Sequence, residues 1–71
     1  MSRYLIIIET TSTGYSAYSP DLPGCIATGT SREAVEREMH DAIEFHIGGM
    51  RLAGEPIPAP RSHAAYCEVG S

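Results

Sequence analysis

Seventy-one residues, two cysteines and a net charge of −4 limit this chain to one small domain. A domain of this length buries only about 60% of the surface that its unfolded chain exposes, so it leans on a staple or a partner. All five basic residues are arginine, against nine acidic ones. That balance argues against an autonomous nucleic-acid binder, which carries a basic patch, and it suits attraction to a basic protein.

"RYLIIIETT" (3–11) reads as a strand rich in β-branched residues and apolar on both alternating faces, Tyr4, Ile6 and Ile8 on one and Leu5 and Ile7 on the other. Such a strand is expected in the middle of a sheet, covered on both sides. The run is too short for a secretory leader, and Glu9, Thr10 and Thr11 stop it. Nowhere does an apolar run approach the ~18 residues of a membrane span. The reading is a cytoplasmic protein with free thiols.

"STGY" is a turn around Gly14. "YSAYS" (15–19) is a second, half-polar strand, "PDLPG" (20–24) breaks it, and "CIATG" (25–29) is a short third strand. The period then changes. Thr30 is the expected N-cap, with Glu33 three residues on as in a capping box. Val35, Met39, Ala42, Ile43, His46, Ile47 and Met50 recur at spacings of three and four, one apolar stripe of a helix over 31–53. Glu33 and Arg37 form an i,i+4 pair. Gly48 and Gly49 weaken the helix by about 1 kcal/mol each relative to alanine, so fraying or bending is expected there. Gly54 is the left-handed cap. "EPIPAP" (55–60) is an extended connector, and "HAAYCEV" (63–69) a last short strand. The order is β-β-β-α-β, an α+β domain over 1–71. One helix covers one sheet face only, so the second apolar face of the first strand calls for a homo-oligomer or another protein. Ile6 and Ile7 are the candidate oligomer-interface residues.

The "Y-S-P-D-L-P-G-C" loop, the "G-T" into the helix, the "E-A" and "A-I-E" spacing along it and the "G-E-P-I-P-A-P" exit together resemble the HicB-like antitoxin family, over Arg3 to about Val69. The resemblance implies a partial ribonuclease H-like sheet with one long helix on one face. It implies dimers or tetramers, and a partner in the form of a small basic HicA-like mRNA interferase whose active site the antitoxin covers. Full-length members often carry a C-terminal DNA-binding domain. The chain here stops after the last strand, so a single domain that binds no nucleic acid by itself is expected. The alternative is a solitary homo-oligomeric regulatory or structural protein without a toxin.

The chemistry-bearing residues support binding rather than catalysis. In the loop, Pro20 and Pro23 fix φ and remove two donors, Asp21 can accept backbone N–H groups, and Gly24 can take a positive φ. A two-metal nuclease needs converging carboxylates, but Glu9, Asp21, Glu36, Asp41, Glu44 and Glu68 show no clustering. His40 and His46 are six apart, whereas a helical zinc pair wants four, and no C-x-x-C accompanies them. His46 lies on the apolar stripe, where a hydrogen-bonded core histidine is expected. No basic cluster flanks Cys25 or Cys67 to activate a thiol. No enzyme activity, cofactor, metal site or catalytic residue is expected. The candidate partner contacts are Asp21 and Leu22 at the rigid loop tip, and Glu36, Asp41 and Glu44, which fall off the apolar helix stripe.

Overall fold

The computed structural model describes residues 2–70, and Met1 and Ser71, the outermost residues of the expected 1–71 domain, lie outside the described residues. Three strands, β1 (Ile7–Thr10), β2 (Tyr15–Tyr18) and β3 (Ile26–Gly29), precede one helix, α1 (Arg32–Ala53). The sheet is antiparallel throughout in the order β1-β2-β3. The β1–β2 hairpin is closed by the Thr11 N–H donating to the Gly14 carbonyl at 2.8 Å. The strand register lines up Ile8, Ala17 and Ala27 in one cross-strand row and Ile7, Tyr18 and Ile26 in the next. Side chains alternate across a sheet, so the first row faces the helix and the second faces away.

Helix α1 lies across β3 and β2. Its stripe supplies Val35 and Met39, which close a core with Ala17, Leu22 and Cys25; Tyr4, Ile6, Ile8, Tyr15, Ala27, Ala42, Ile43 and Ile47 pack around it. The even-numbered residues of the first apolar run thus point inward, and Leu5 and Ile7 point outward. The helix starts one residue later than the capping box implies. Ser31 is the N-cap, extended at φ −139°, and its hydroxyl accepts the Ala34 N–H at 3.1 Å. Glu33 then sits in the first turn, where its charge suits the helix N-terminus. At the other end Gly54 adopts φ 70°. Its N–H donates to Arg51 and the Glu55 N–H donates to Met50, a Schellman closure. Gly48 and Gly49 do not break the helix, which continues to Ala53.

Two expectations are corrected. The first strand is paired only over Ile7–Thr10, because its partner runs out. Ser19, opposite Ile6 in the continued register, turns into Pro20, and its hydroxyl donates to the Leu5 carbonyl at 2.9 Å. The second correction concerns residues 63–69, which form no strand. Among the described residues the sheet therefore ends at β1, which is an edge strand and not a central one. The segment contains Ala64 and Ala65, and Tyr66 is fully exposed, so it buries too little apolar surface to offset the entropy of ordering it.

Helix and sheet pack tightly at Gly29. A Cβ there would meet the Val35 nitrogen at 2.7 Å and its Cα at 2.9 Å. Gly29→Ala must push α1 off β3, and a loss of about 1–3 kcal/mol is expected from such overpacking. Urea unfolding followed by circular dichroism measures it, and an unchanged midpoint contradicts the packing described.

Candidate functional site

The loop between β2 and β3 is built around Leu22. The Leu22 N–H donates to Ser19 at 3.2 Å and the Cys25 N–H to Leu22 at 3.1 Å, while Gly24 takes φ 83° to let the chain re-enter the sheet. These turns drive the Leu22 side chain inward, where it is 1% exposed. The expectation that Leu22 presents itself at the loop tip is therefore corrected, because an apolar side chain of that size gains more from the core than from solvent.

Asp21 points the other way and holds the segment after the helix. Its Oδ2 accepts the Arg61 and Ser62 N–H groups, both at 3.0 Å, and its Oδ1 accepts the Ser62 hydroxyl at 2.8 Å. The backbone N–H of Ser62, then that of Arg61, then the Ser62 hydroxyl hold the Asp21 carboxyl below the usual carboxylate range. A second tie is the Tyr4 hydroxyl, which donates to the Pro58 carbonyl. Sequence reasoning identified Asp21 as an acceptor of local N–H groups but could not see that the donors lie some forty positions away.

The three helix candidates are all exposed. Glu36 Oε1 lies 3.7 Å from Arg32 Nε. His40 joins the other two, its Nδ1 3.5 Å from Asp41 Oδ1 and its Nε2 3.1 Å from Glu44 Oε1. The Glu33–Arg37 pair expected from spacing is not among the ion pairs of the described residues. Solvent-exposed pairs of this kind contribute about 0–1 kcal/mol, so these contacts add little to stability. Phe45 stands one turn beyond Asp41 and is 85% exposed. Its signal in the sequence is an aromatic residue out of phase with the apolar stripe. The two oligomer candidates separate, with Ile6 packed against the core and Ile7 in the outward row.

His46 is half-buried and makes no side-chain hydrogen bond among those of the described residues, unlike the hydrogen-bonded core histidine expected from its place on the stripe. Cys25 is buried and Cys67 exposed, and both are free thiols. Burial pushes the Cys25 thiol up. Among the described residues no three His, Cys, Asp or Glu side chains converge as a metal site, and no helix is long and apolar enough to cross a membrane.

With this geometry in hand, comparison with known proteins is decisive on kinship. The model for the HicB-like antitoxin of bacterial toxin–antitoxin systems matches residues 4–69. The chain belongs to that family. The HicB-like fold also aligns with a chain of a solved HicA3 and HicB3 toxin–antitoxin complex, with a TM-score of 0.74 and 30% identity over 84% of this chain and 70% of that one. An uncharacterised 14.9 kDa protein from the rep-hol intergenic region of Haemophilus phage HP1 is 38% identical over 55 residues, 78% of this chain. A UPF0150 protein of Helicobacter pylori strain J99 is 39% identical over 44 residues, 62% of this chain. This HicB-like chain spans 41% and 61% of those two relatives' own lengths. The family is one of antitoxins, not of enzymes.

Two outcomes follow from the loop and its thiol. Asp21→Ala should release the segment after the helix, seen as faster hydrogen exchange at the Arg61 and Ser62 amides. Lowering the pH should do the same in the wild type. Because the folded-state pKa of Asp21 is depressed, the clamp is complete above the ordinary carboxylate pKa and is lost as pH falls through the lower, folded value. In a thiol titration of the native protein, Cys67 should react readily and Cys25 only on unfolding; equal reactivity of the two contradicts the burial of Cys25.

Proposed function

We propose that this HicB-like chain is an antitoxin that neutralises a small basic HicA-like mRNA interferase in the cytoplasm by covering its active site, and that it works as a homo-oligomer without binding nucleic acid itself. Family membership over residues 4–69 carries the reading, and the HicA3–HicB3 complex supports a toxin of that type as the partner. The contact surface proposed is the exposed side of the helix that carries Asp41 and Glu44, with Phe45 beside them as its apolar anchor and Glu36 at its margin. Acidic groups steer a basic partner and set association rate and specificity, while exposed aromatics are the side chains that dominate binding energy when a partner desolvates them. Asp21 contributes indirectly, by fixing the backbone of residues 61 and 62 beside the loop. Leu22 supports the loop from within.

A second reading, a solitary homo-oligomer without a toxin, is favoured by one observation, the outward apolar row of Ile7, Tyr18 and Ile26, in which Tyr18 is 41% and Ile26 70% exposed. The two readings separate in one experiment. The double substitution Glu36→Lys, Asp41→Lys should leave the thermal midpoint nearly unchanged, since exposed charges matter by about 0.5 kcal/mol. The same variant should bind the product of a neighbouring toxin gene more slowly, with less salt dependence, and protect RNA poorly from it. Phe45→Ala should speed dissociation. Full inhibition by the charge-reversed protein removes the acidic face from the contact, and no binding of such a toxin by the wild type leaves the solitary reading in place.

A further inference from the structure

A cavity of about 390 Å³ opens between the N-terminal segment and α1, lined by Ser2, Tyr4, His40, Ile43, Glu44 and Ile47. Its inner and outer parts differ in chemistry. Tyr4, Ile43 and Ile47 are half-buried and pack against the core, so they form an inner, apolar wall. Tyr4 is held in that wall by its hydroxyl, which donates to the Pro58 carbonyl. Ser2, His40 and Glu44 are exposed and form the outer rim. Helical spacing accounts for the arrangement. Positions 40, 43, 44 and 47 are three and four apart and share one side of α1, where the apolar stripe gives way to polar residues. Glu44 brings a negative charge to that boundary. Its Oε1 lies 3.1 Å from His40 Nε2, and its Oε2 enters no ion pair among the described residues. A carboxylate offers about four acceptor sites, so one imidazole leaves most of them open.

We infer that this cavity takes an arginine or lysine side chain of the basic protein partner. The inference rests on the toxin reading proposed above and names the part of the toxin that the site holds. Three arguments select the occupant. An apolar wall that ends at a carboxylate matches a side chain with an aliphatic stem and a cationic head. A purely apolar guest would cover the wall but strip water from Glu44 without replacing it. Aromatic rings also attract a cation placed over their face, and Tyr4 is the ring in this wall. Finally, Glu44 belongs both to the cavity and to the contact surface of Asp41 and Phe45, so a partner seated on that surface reaches the cavity in the same encounter. The cavity beside Asp21 does not combine these features. Arg61 already places a cation in its lining, and the Asp21 carboxylate is occupied by Arg61 and Ser62.

The competing occupant is an uncharged apolar side chain. Amide chemical shifts of the isotope-labelled protein decide between the two, with the blocked methylamides of arginine, lysine and norleucine as probes; norleucine keeps the aliphatic stem and lacks the charge. The two cations should shift the Tyr4, Ile43, Glu44 and Ile47 amides, and norleucine should bind about fivefold more weakly. Glu44→Gln should weaken the cations by about the same factor, and Glu38→Gln, which removes an exposed helix carboxylate outside the cavity, should not. With the product of a neighbouring toxin gene, Glu44→Gln should raise the dissociation rate about fivefold. Silence of these amides toward every probe, equal binding of norleucine, or equal losses in the two glutamine variants overturns the inference. A toxin complex whose dissociation ignores Glu44→Gln overturns it while leaving the toxin reading in place. Cation binding at these amides by a protein that binds no toxin overturns the toxin reading and leaves the cavity's preference for cations standing.

Discussion

Leu22, Val35 and Met39 meet with almost no exposure to solvent, and the rest of the domain is arranged so that they can. Leu22 comes from the proline-bounded loop, Val35 and Met39 from the first turns of the helix, and Ala17 of β2 and Cys25, just before β3, complete the contact. A core this small tolerates no spacing error, which is why glycine occupies position 29. Every side chain larger than hydrogen there would hold the helix away from the sheet. The helix N-cap at Ser31 and the loop turn at Gly24 are the local devices that aim these side chains at one another.

Local signals in the sequence translated into structure wherever the deciding partners are neighbours in the chain. The alternation of Tyr15 to Tyr18, the stripe from Val35 to Ile47 and the left-handed Gly54 are properties of a few consecutive residues, and each appears as expected. The edge position of β1 was not legible. Its two-faced apolar pattern fits a central strand and an unsatisfied edge equally, and the choice depends on whether residues 63–69 pair with it. Leu22 was misjudged for a related reason. In "PDLPG" the prolines announce a turn but do not say which side chain the turn points inward. Of the candidate site, the exposure of Glu36, Asp41 and Glu44 followed from helical phase. The involvement of His40 with Asp41 and Glu44 follows from i,i+1 and i,i+4 spacing and was available to the same reasoning. The bond from Asp21 to Arg61 and Ser62 was not, because nothing in chain spacing connects them.

The domain separates its surfaces by chemistry. The helix turns carboxylates and one aromatic outward, the sheet turns an apolar row outward, and the inward sides of both meet in the core. A fold with two chemically distinct outer faces can meet a charged protein on one and a copy of itself on the other without the two contacts competing for the same residues. Family membership and geometry are thus compatible with a single assembly that uses both faces.

The Asp21 clamp has a kinetic meaning as well. The two hairpins and the helix are closed by short loops, whereas the bonds from Asp21 to Ser62 span 41 positions. Closing a loop costs entropy that grows with the logarithm of its length, and contacts between distant positions are the slow part of folding. The sheet, loop and helix can therefore assemble first as a unit of local contacts. The clamp then acts as a late-closing and early-opening fastener, and residues 58–62 leave or rejoin the body of the domain as one small cooperative piece.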